Sequence, residues 1–71
     1  MENIYIVEEM WFEPRLSRFY ETAIQWAWDA RRRSFKYCLA NDITVTQYTV
    51  DEDWTEGDAL PEGKVILRLR A

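Results

Sequence analysis

The chain has 71 residues, of which 48% are hydrophobic and 31% are charged, with only two glycines and two prolines. A chain of this length forms a single domain, and its composition excludes a disordered or fibrous protein. Because Cys38 is the only cysteine, no internal disulfide can form. We therefore expect the four Trp, four Tyr and three Phe residues to supply the core.

The net charge is −4, and the charged residues are arranged in blocks of one sign along the chain. Residues 1–14 hold four acids and no base, and residues 15–40 hold six bases and two acids. Residues 41–63 hold seven acids and no base, and residues 64–71 hold three bases. Such blocks either pair with one another in the fold or meet a charged partner, and pairing is the favoured interpretation.

The spacing of apolar residues changes between residues 4 and 39. Residues 4–12 are rich in β-branched and aromatic types and stop before Pro14, which predicts a strand. Between about Ser17 and Leu39, apolar residues recur at the helical period, which predicts an amphipathic helix. The residues of its predicted apolar face are Phe19, Tyr20, Ala23, Trp26, Ala27, Ala30, Tyr37 and Cys38. Ser17 is the candidate N-cap, and a later start near Glu21 is the alternative.

Two further strands follow the helix. Residues 43–50 are β-formers throughout, and residues 64–70 alternate between apolar and basic side chains. An acidic connection, residues 51–63, joins these strands and ends in a turn signal, Pro61-Glu62-Gly63.

The predicted fold is a single α+β domain with the element order β-α-β-β. Its three-stranded, mainly antiparallel sheet has the spatial order 1-3-2, with the helix packed on one face. Strand 64–70 is then central, and Arg68 and Arg70 lie across from Glu8 and Glu9 on the first strand.

The residues that most enzymes need are missing. The chain has no histidine, which removes the commonest general base and the commonest metal ligand. Gly57 and Gly63 are its only glycines, and neither lies between a strand and a helix, where a phosphate-binding loop requires them. We therefore expect a protein that is not an enzyme and that carries no cofactor.

The acidic connection has part of a calcium-loop spacing. Asp51, Asp53, Thr55 and Glu62 occupy the first, third, fifth and twelfth positions. Glu56 stands where such a loop needs glycine, and the flanking segments are predicted strands rather than helices. An acidic loop that is simply solvated is the favoured interpretation, and no metal site is predicted.

Three consecutive arginines, Arg31 to Arg33, are followed by Phe35 and Tyr37 and suggest a nucleic-acid surface. Successive helical residues point about 100° apart, so the three cations do not form one patch. Cations near a helix C-terminus are also favoured by its dipole in any protein. Nucleic-acid binding is kept as an alternative function.

Trp26 and Trp28 cannot both face one core, because two helical residues are separated by about 200°. Trp26 belongs to the main apolar stripe, and Trp28 lies on a second ridge bordered by arginines. Aromatic residues beside arginine are typical of interface hot spots. The alternative is that Trp54 and Leu60 fold over this ridge. The predicted partner-binding residues are Ile24, Trp28, Arg31, Arg32 and Phe35.

The uncharged strand 43–50 is the second predicted contact. At a sheet edge it would expose unpaired backbone groups, with Thr44, Thr46 and Tyr48 as its edge-strand residues. Such an edge accepts either a second copy, giving a homodimer, or a strand of a target protein. The alternative is that residues 51–63 shield it.

The acidic-loop residues are a third candidate site, through weak cation binding or through mimicry of DNA phosphates. These residues are Asp51, Glu52, Asp53, Glu56 and Asp58.

The predicted function is a non-catalytic protein-binding module that occludes or modulates a larger macromolecule. By analogy of class alone, small acidic aromatic-rich domains of this kind are often inhibitors encoded by phages or mobile elements. The alternatives are a nucleic-acid-binding protein and a self-assembling structural subunit. Residues 1–3 carry no basic region and no apolar run approaches about 18 residues, so we expect a cytoplasmic protein without membrane contact.

Overall fold

Four antiparallel strands and one helix make up the computed structural model, which describes residues 1–71. The elements are β1 (Glu2–Glu8), β2 (Arg15–Ser17), α1 (Tyr20–Lys36), β3 (Asp42–Val50) and β4 (Lys64–Arg70). The spatial order of the strands is β2-β1-β3-β4, and α1 packs on one face of the sheet. The predicted α+β class with one helix on the sheet is confirmed. The predicted count of three strands is wrong.

The short strand β2 explains why the predicted order 1-3-2 is also wrong. β2 pairs antiparallel with β1, with Leu16 opposite Ile6, so the chain has already reversed once before the helix begins. The helix then connects β2 to β3, which run in the same direction on either side of β1. The first strand and strand 43–50, which the predicted order placed on either side of the last strand, instead pair directly with each other and run antiparallel as β1 and β3.

The segment predicted to be a sheet edge lies in the middle of the sheet. β3 pairs with β1 along one side and with β4 along the other. Thr44 and Thr46 are paired on both sides, and Tyr48 is paired with Ile4 of β1 alone. Because β3 is an internal strand, the strand-addition site predicted there is wrong. The nine residues of β3 are long enough to support both neighbours, and β4 takes the exposed edge.

The basic residues of β4 consequently lie far from their predicted acidic partners. Glu8 and Arg68 both flank Thr44, so they are two strands apart. Glu9 lies beyond the end of β1 and pairs with Arg33 of the helix instead.

The helix meets the sheet through small side chains. Its buried residues are Ala23, Ala27, Ala30 and Ser34. The three alanines form one cluster with Tyr5, Val7, Ile43 and Val45 of β1 and β3. Because an alanine or serine side chain is short, the helix backbone lies close to the sheet. The prediction that aromatic rings supply the core is wrong, since seven of the eleven are exposed and Tyr5 is the only buried one.

The helix begins later than its predicted N-cap. Ser17 is the last residue of β2, and its Oγ accepts the backbone N–H of Phe19 at 3.0 Å within the turn that precedes the helix. Phe19 is the N-cap residue and offers no side-chain cap.

The helix ends at Lys36, three residues before its predicted end. The N–H of Leu39 donates to the carbonyl of Ser34 at 2.9 Å, and the N–H of Cys38 donates to the carbonyl of Phe35 at 3.2 Å. This pair of bonds is a Schellman motif, in which Cys38 takes the left-handed conformation with φ 54°.

The connection between β3 and β4 covers the second face of the sheet. Ile4 is fully buried but, by strand alternation, points away from the helix-side cluster. Trp54 and Leu60 of the connection line one cleft together with Ile6 and Leu16. The connection therefore borders apolar residues of β1 and β2 on the face of the sheet away from the helix.

The strand order predicts a pattern of backbone hydrogen exchange. Asn41 and Ala71 donate to each other, so the hydrogen-bonded positions along β4 are Ala71, Leu69 and Leu67, and Arg68 and Arg70 direct their N–H groups outward. We expect slow exchange along β3 and an alternation along β4, with Arg68 and Arg70 exchanging fast. NMR exchange measurements that found Arg68 as protected as Leu67 would contradict this order.

Candidate interaction surface

The two indoles of the helix lie on opposite flanks of its buried seam. Trp26 is partly buried on the β2 side, where the Arg15 guanidinium lies 3.8 Å from its ring centroid. Trp28 lies on the β4 side, about 130° around the helix axis from the centre of the buried seam but only about 20° from Phe35. Trp28 is 45% exposed and Phe35 is 55% exposed.

Arg31 connects these two rings and attaches them to the sheet. Its guanidinium carbon lies 5.6 Å from the Trp28 centroid and 4.7 Å from the Phe35 centroid. Its Nε donates to the backbone carbonyl of Arg70 at 3.0 Å, at the end of β4. We call Trp28, Arg31 and Phe35 the Trp28 ridge.

The other two predicted contact residues differ in position. Ile24 is partly buried and packs against the core cluster beneath the ridge. Arg32 points toward solvent and pairs with Asp29 at 3.2 Å, one turn back on the helix. The structure thus brings Trp28, Arg31 and Phe35 together, with Ile24 at their base and Arg32 apart from them.

The three consecutive arginines have three separate partners. Arg31 bonds to β4, and Arg32 pairs with Asp29. Arg33 pairs with Glu9 at 2.6 Å on the opposite flank, where it also lies 4.4 Å from the Phe12 centroid. No continuous basic patch results.

The acidic loop does not cover the Trp28 ridge. Trp54 and Leu60 lie over the other face of the sheet, so the alternative in which they bury the ridge does not hold. The predicted acidic-loop residues are all exposed: Asp51, Glu52, Asp53, Glu56 and Asp58.

Most of the acidic loop has no basic partner in the fold. Glu52 approaches the N-terminal amine at 3.7 Å, and Asp58 accepts the backbone N–H of Thr55 at 2.9 Å. No other acid of this loop forms an ion pair, and no three side chains converge on a position that could hold a metal ion. The predicted internal pairing of charge blocks is therefore realised only for the first two blocks, where Glu2 pairs with Arg18 and Glu9 with Arg33. The acids of residues 41–63 and the bases of residues 64–71 do not pair with each other.

A second exposed apolar group follows β1 and was not predicted. The first strand ends at Glu8, and Met10, Trp11 and Phe12 form the exposed turn before β2, where the sequence predicted a continuous strand to residue 12. The Trp11 Nε1 donates to the carbonyl of Ala40 at 2.7 Å. The only sequence signal for this turn is Pro14, which limits pairing after Phe12.

Buried Asn41 holds this end of the molecule together. Its Nδ2 donates to Ser34 Oγ at 2.9 Å and to Glu9 Oε1 at 3.1 Å, and its Oδ1 accepts the backbone N–H of Met10 at 3.0 Å. One amide thus connects the helix, the end of β1 and the turn that follows it.

Comparisons of this chain with protein-family models, curated proteins and solved structures find no match. None of the helical structure is both long and apolar enough to cross a membrane.

Replacement of Asn41 tests the importance of this buried amide. Asn41→Ala leaves the Met10 N–H without a partner and removes the amide donor to the Ser34 hydroxyl and to Glu9, so we expect a loss of about 2–4 kcal/mol in the free energy of unfolding. Asn3→Ala is the matched control, because Asn3 bonds to Thr49 on the surface, and it should change stability by less than about 1 kcal/mol. Urea denaturation measures the free energy of unfolding of both variants. Equal losses of stability would contradict the role of Asn41 in holding this end of the molecule together.

Proposed function

We propose that this chain is a non-catalytic, cytoplasmic protein-binding module that occludes a surface of a larger macromolecule. The Trp28 ridge is the centre of its contact surface. The observation that supports this proposal is a half-exposed indole and phenyl ring on either side of one guanidinium. Tryptophan and arginine are the residue types most enriched among interface hot spots.

The ridge is also ordered before a partner arrives. Arg31 is oriented by its bond to the Arg70 carbonyl and by contact with both rings, so little side-chain entropy remains to be lost on binding. Its Nη groups make no hydrogen bond within the chain. A planar guanidinium with free Nη groups is suited to bind a carboxylate through two parallel bonds.

The alternative functions have weaker support. A nucleic-acid-binding surface needs clustered cations, whereas Arg31, Arg32 and Arg33 diverge to separate partners. A self-assembling subunit needs a compatible edge, and the one long exposed edge, β4, is basic.

The exposed acidic loop favours a more specific form of the same function. Its unpaired carboxylates would suit a basic target, including a protein that binds DNA phosphates. An inhibitor of a host machine encoded by a phage or mobile element is the setting we propose, by analogy of class.

Affinity capture from a lysate tests the role of the ridge. We expect Trp28→Ala to weaken capture of a specific protein by about thirtyfold, the effect of losing a hot spot worth about 2 kcal/mol. Phe19→Ala is the matched control, because Phe19 is also an exposed ring but lies at the helix N-terminus, away from the ridge. Circular dichroism checks that both variants fold. Equal capture by Trp28→Ala and Phe19→Ala would contradict the ridge as the contact surface.

A further inference from the structure

The outer edge of β4 is the longest free backbone edge in the sheet. β4 has seven residues and a neighbour only at β3, whereas the opposite edge, β2, has three residues. The backbone N–H and C=O groups of Leu67, Leu69 and the following Ala71 point toward β3. The N–H and C=O groups of Arg68 and the N–H of Arg70 therefore point away from the sheet.

One outward group is already occupied. The Arg70 carbonyl accepts the Arg31 Nε at 3.0 Å, in the position that a neighbouring strand's N–H would take. Arg31 therefore marks the end of the open edge and presents its Nη groups beside it.

The charges of β4 are unpaired. Lys64, Arg68 and Arg70 form no ion pair with any acid of the chain. Asp42 lies opposite Arg70 on β3 but makes no ion pair with it. Since β4 contains no acid, its open edge is uniformly positive.

The Trp28 ridge stands beside this edge on the helix side. Leu67 and Leu69 face the helix, and Arg68 and Arg70 face away from it. A strand added outside β4 would lie about 4.8 Å from it. Its helix-side residues would then lie next to Leu67, Leu69 and the rings of the ridge, and its other residues would lie next to Arg68 and Arg70.

We propose that β4 accepts an extended segment of a partner protein in which acidic residues alternate with apolar ones. The inference rests on the proposed protein-binding function and specifies how the partner binds. Apolar residues of the segment pack against Leu67, Leu69 and the Trp28 ridge on the helix side, and its carboxylates pair with Arg68 and Arg70 on the other side. Backbone bonds supply affinity, and the alternation of side chains supplies specificity.

A second copy of this chain does not fit the same edge. Antiparallel pairing of β4 with itself places Arg68 opposite Arg68, or Lys64 opposite Arg70, depending on the register. Like charges directly opposite each other destabilise strand pairing. The positive edge therefore selects against self-association while it attracts an acidic strand.

Synthetic peptides test the chemistry of the occupant. The probe is a blocked heptapeptide of alternating glutamate and valine, and the control has lysine in place of each glutamate. We expect the glutamate peptide to slow the exchange of the Arg68 and Arg70 amides, and to bind at least about tenfold more tightly than the lysine peptide. Equal affinity of the two peptides, protection at another surface, or no binding at millimolar concentration would overturn the proposal.

Two variants at position 68 separate the contribution of the backbone hydrogen bond to peptide binding from the contribution of the side-chain charge. Arg68→Pro removes one outward N–H from an edge strand, where proline is tolerated, and Arg68→Thr removes only the charge. We expect Arg68→Pro to abolish peptide binding and Arg68→Thr to weaken it about three- to tenfold. Thermal unfolding shows whether Arg68→Pro is folded, and the exchange of the Arg70 amide in Arg68→Thr provides an independent readout if it is not. Full binding by a folded Arg68→Pro, or an Arg70 amide left unprotected by the peptide in Arg68→Thr, would overturn strand addition.

Sedimentation of the chain alone tests whether a second copy of the chain binds at the β4 edge. A dimer with protected Arg68 and Arg70 amides would overturn the choice of occupant, and a monomer would support it. Capture of a partner that is lost with Trp28→Ala but retained with Arg68→Pro would overturn strand addition and leave the protein-binding function intact. If the peptide binds at β4 but Trp28→Ala captures the partner as well as the unmodified chain does, the Trp28 ridge is not the contact surface. Strand addition at β4 would then still stand.

Discussion

The close approach of the helix to the sheet through Ala23, Ala27, Ala30 and Ser34 determines what the rest of the surface looks like. A seam of short helix side chains leaves room between α1 and the sheet for the ring of Tyr5 from β1, but not for a further ring from the helix itself. The rings that accompany these small residues on the helix are therefore placed on its flanks or left in solvent. This is why most of the aromatic residues contribute little to the core.

The two flanks of the helix then differ because the sheet is asymmetric. On the β2 side, Arg15 lies over Trp26 and shields it. On the β4 side, no strand and no loop lies beyond the edge, so Trp28 and Phe35 stay half exposed around Arg31. The exposed ridge and the open strand edge are thus two results of one arrangement, and they meet at the bond between Arg31 and the Arg70 carbonyl.

The electrostatic pattern points in the same direction. The helix arginines Arg32 and Arg33 find acids in the fold, but the bases of β4 and most acids of residues 51–63 do not. Exposed ion pairs contribute little to stability, so leaving these charges unpaired costs the fold little. It leaves one edge positive and one loop negative, and each can select an oppositely charged partner.

Hydrophobic periodicity in the sequence was sufficient to predict the helix, the strands near 43–50 and 64–70, and the divergence of Trp26 and Trp28. It could not predict β2, because three residues carry no measurable period and Arg15–Ser17 is a strand only through its pairing with β1. Missing that reversal moved the sheet edge from β4 to β3 and led to the wrong strand-addition site.

The apolar face of the helix was predicted only in part, for a related reason. Its three alanines are buried, as the helical period indicates, but its large residues at the N-terminal end are not. Periodicity identifies which residues share a face but carries no information on their size. Phe19 and Tyr20 were assigned to that face, yet the seam accepts only small residues, and Phe19 is 72% exposed. The Trp28 ridge could be predicted because it rests on helical geometry alone.

One comparison of stabilities tests whether the helix lies as close to the sheet as the structure shows. It compares the free energy of unfolding of Ala27→Leu with that of Gln25→Leu. Ala27 is fully buried in the seam and Gln25 is exposed on the same helix, so both variants add the same side chain to the same element. We expect Ala27→Leu to lose about 1–3 kcal/mol through overpacking and Gln25→Leu to change stability by less than about 0.5 kcal/mol. A neutral or stabilising Ala27→Leu would show that a large side chain fits between helix and sheet, which would contradict the small-residue seam as the reason that the aromatic rings lie outside.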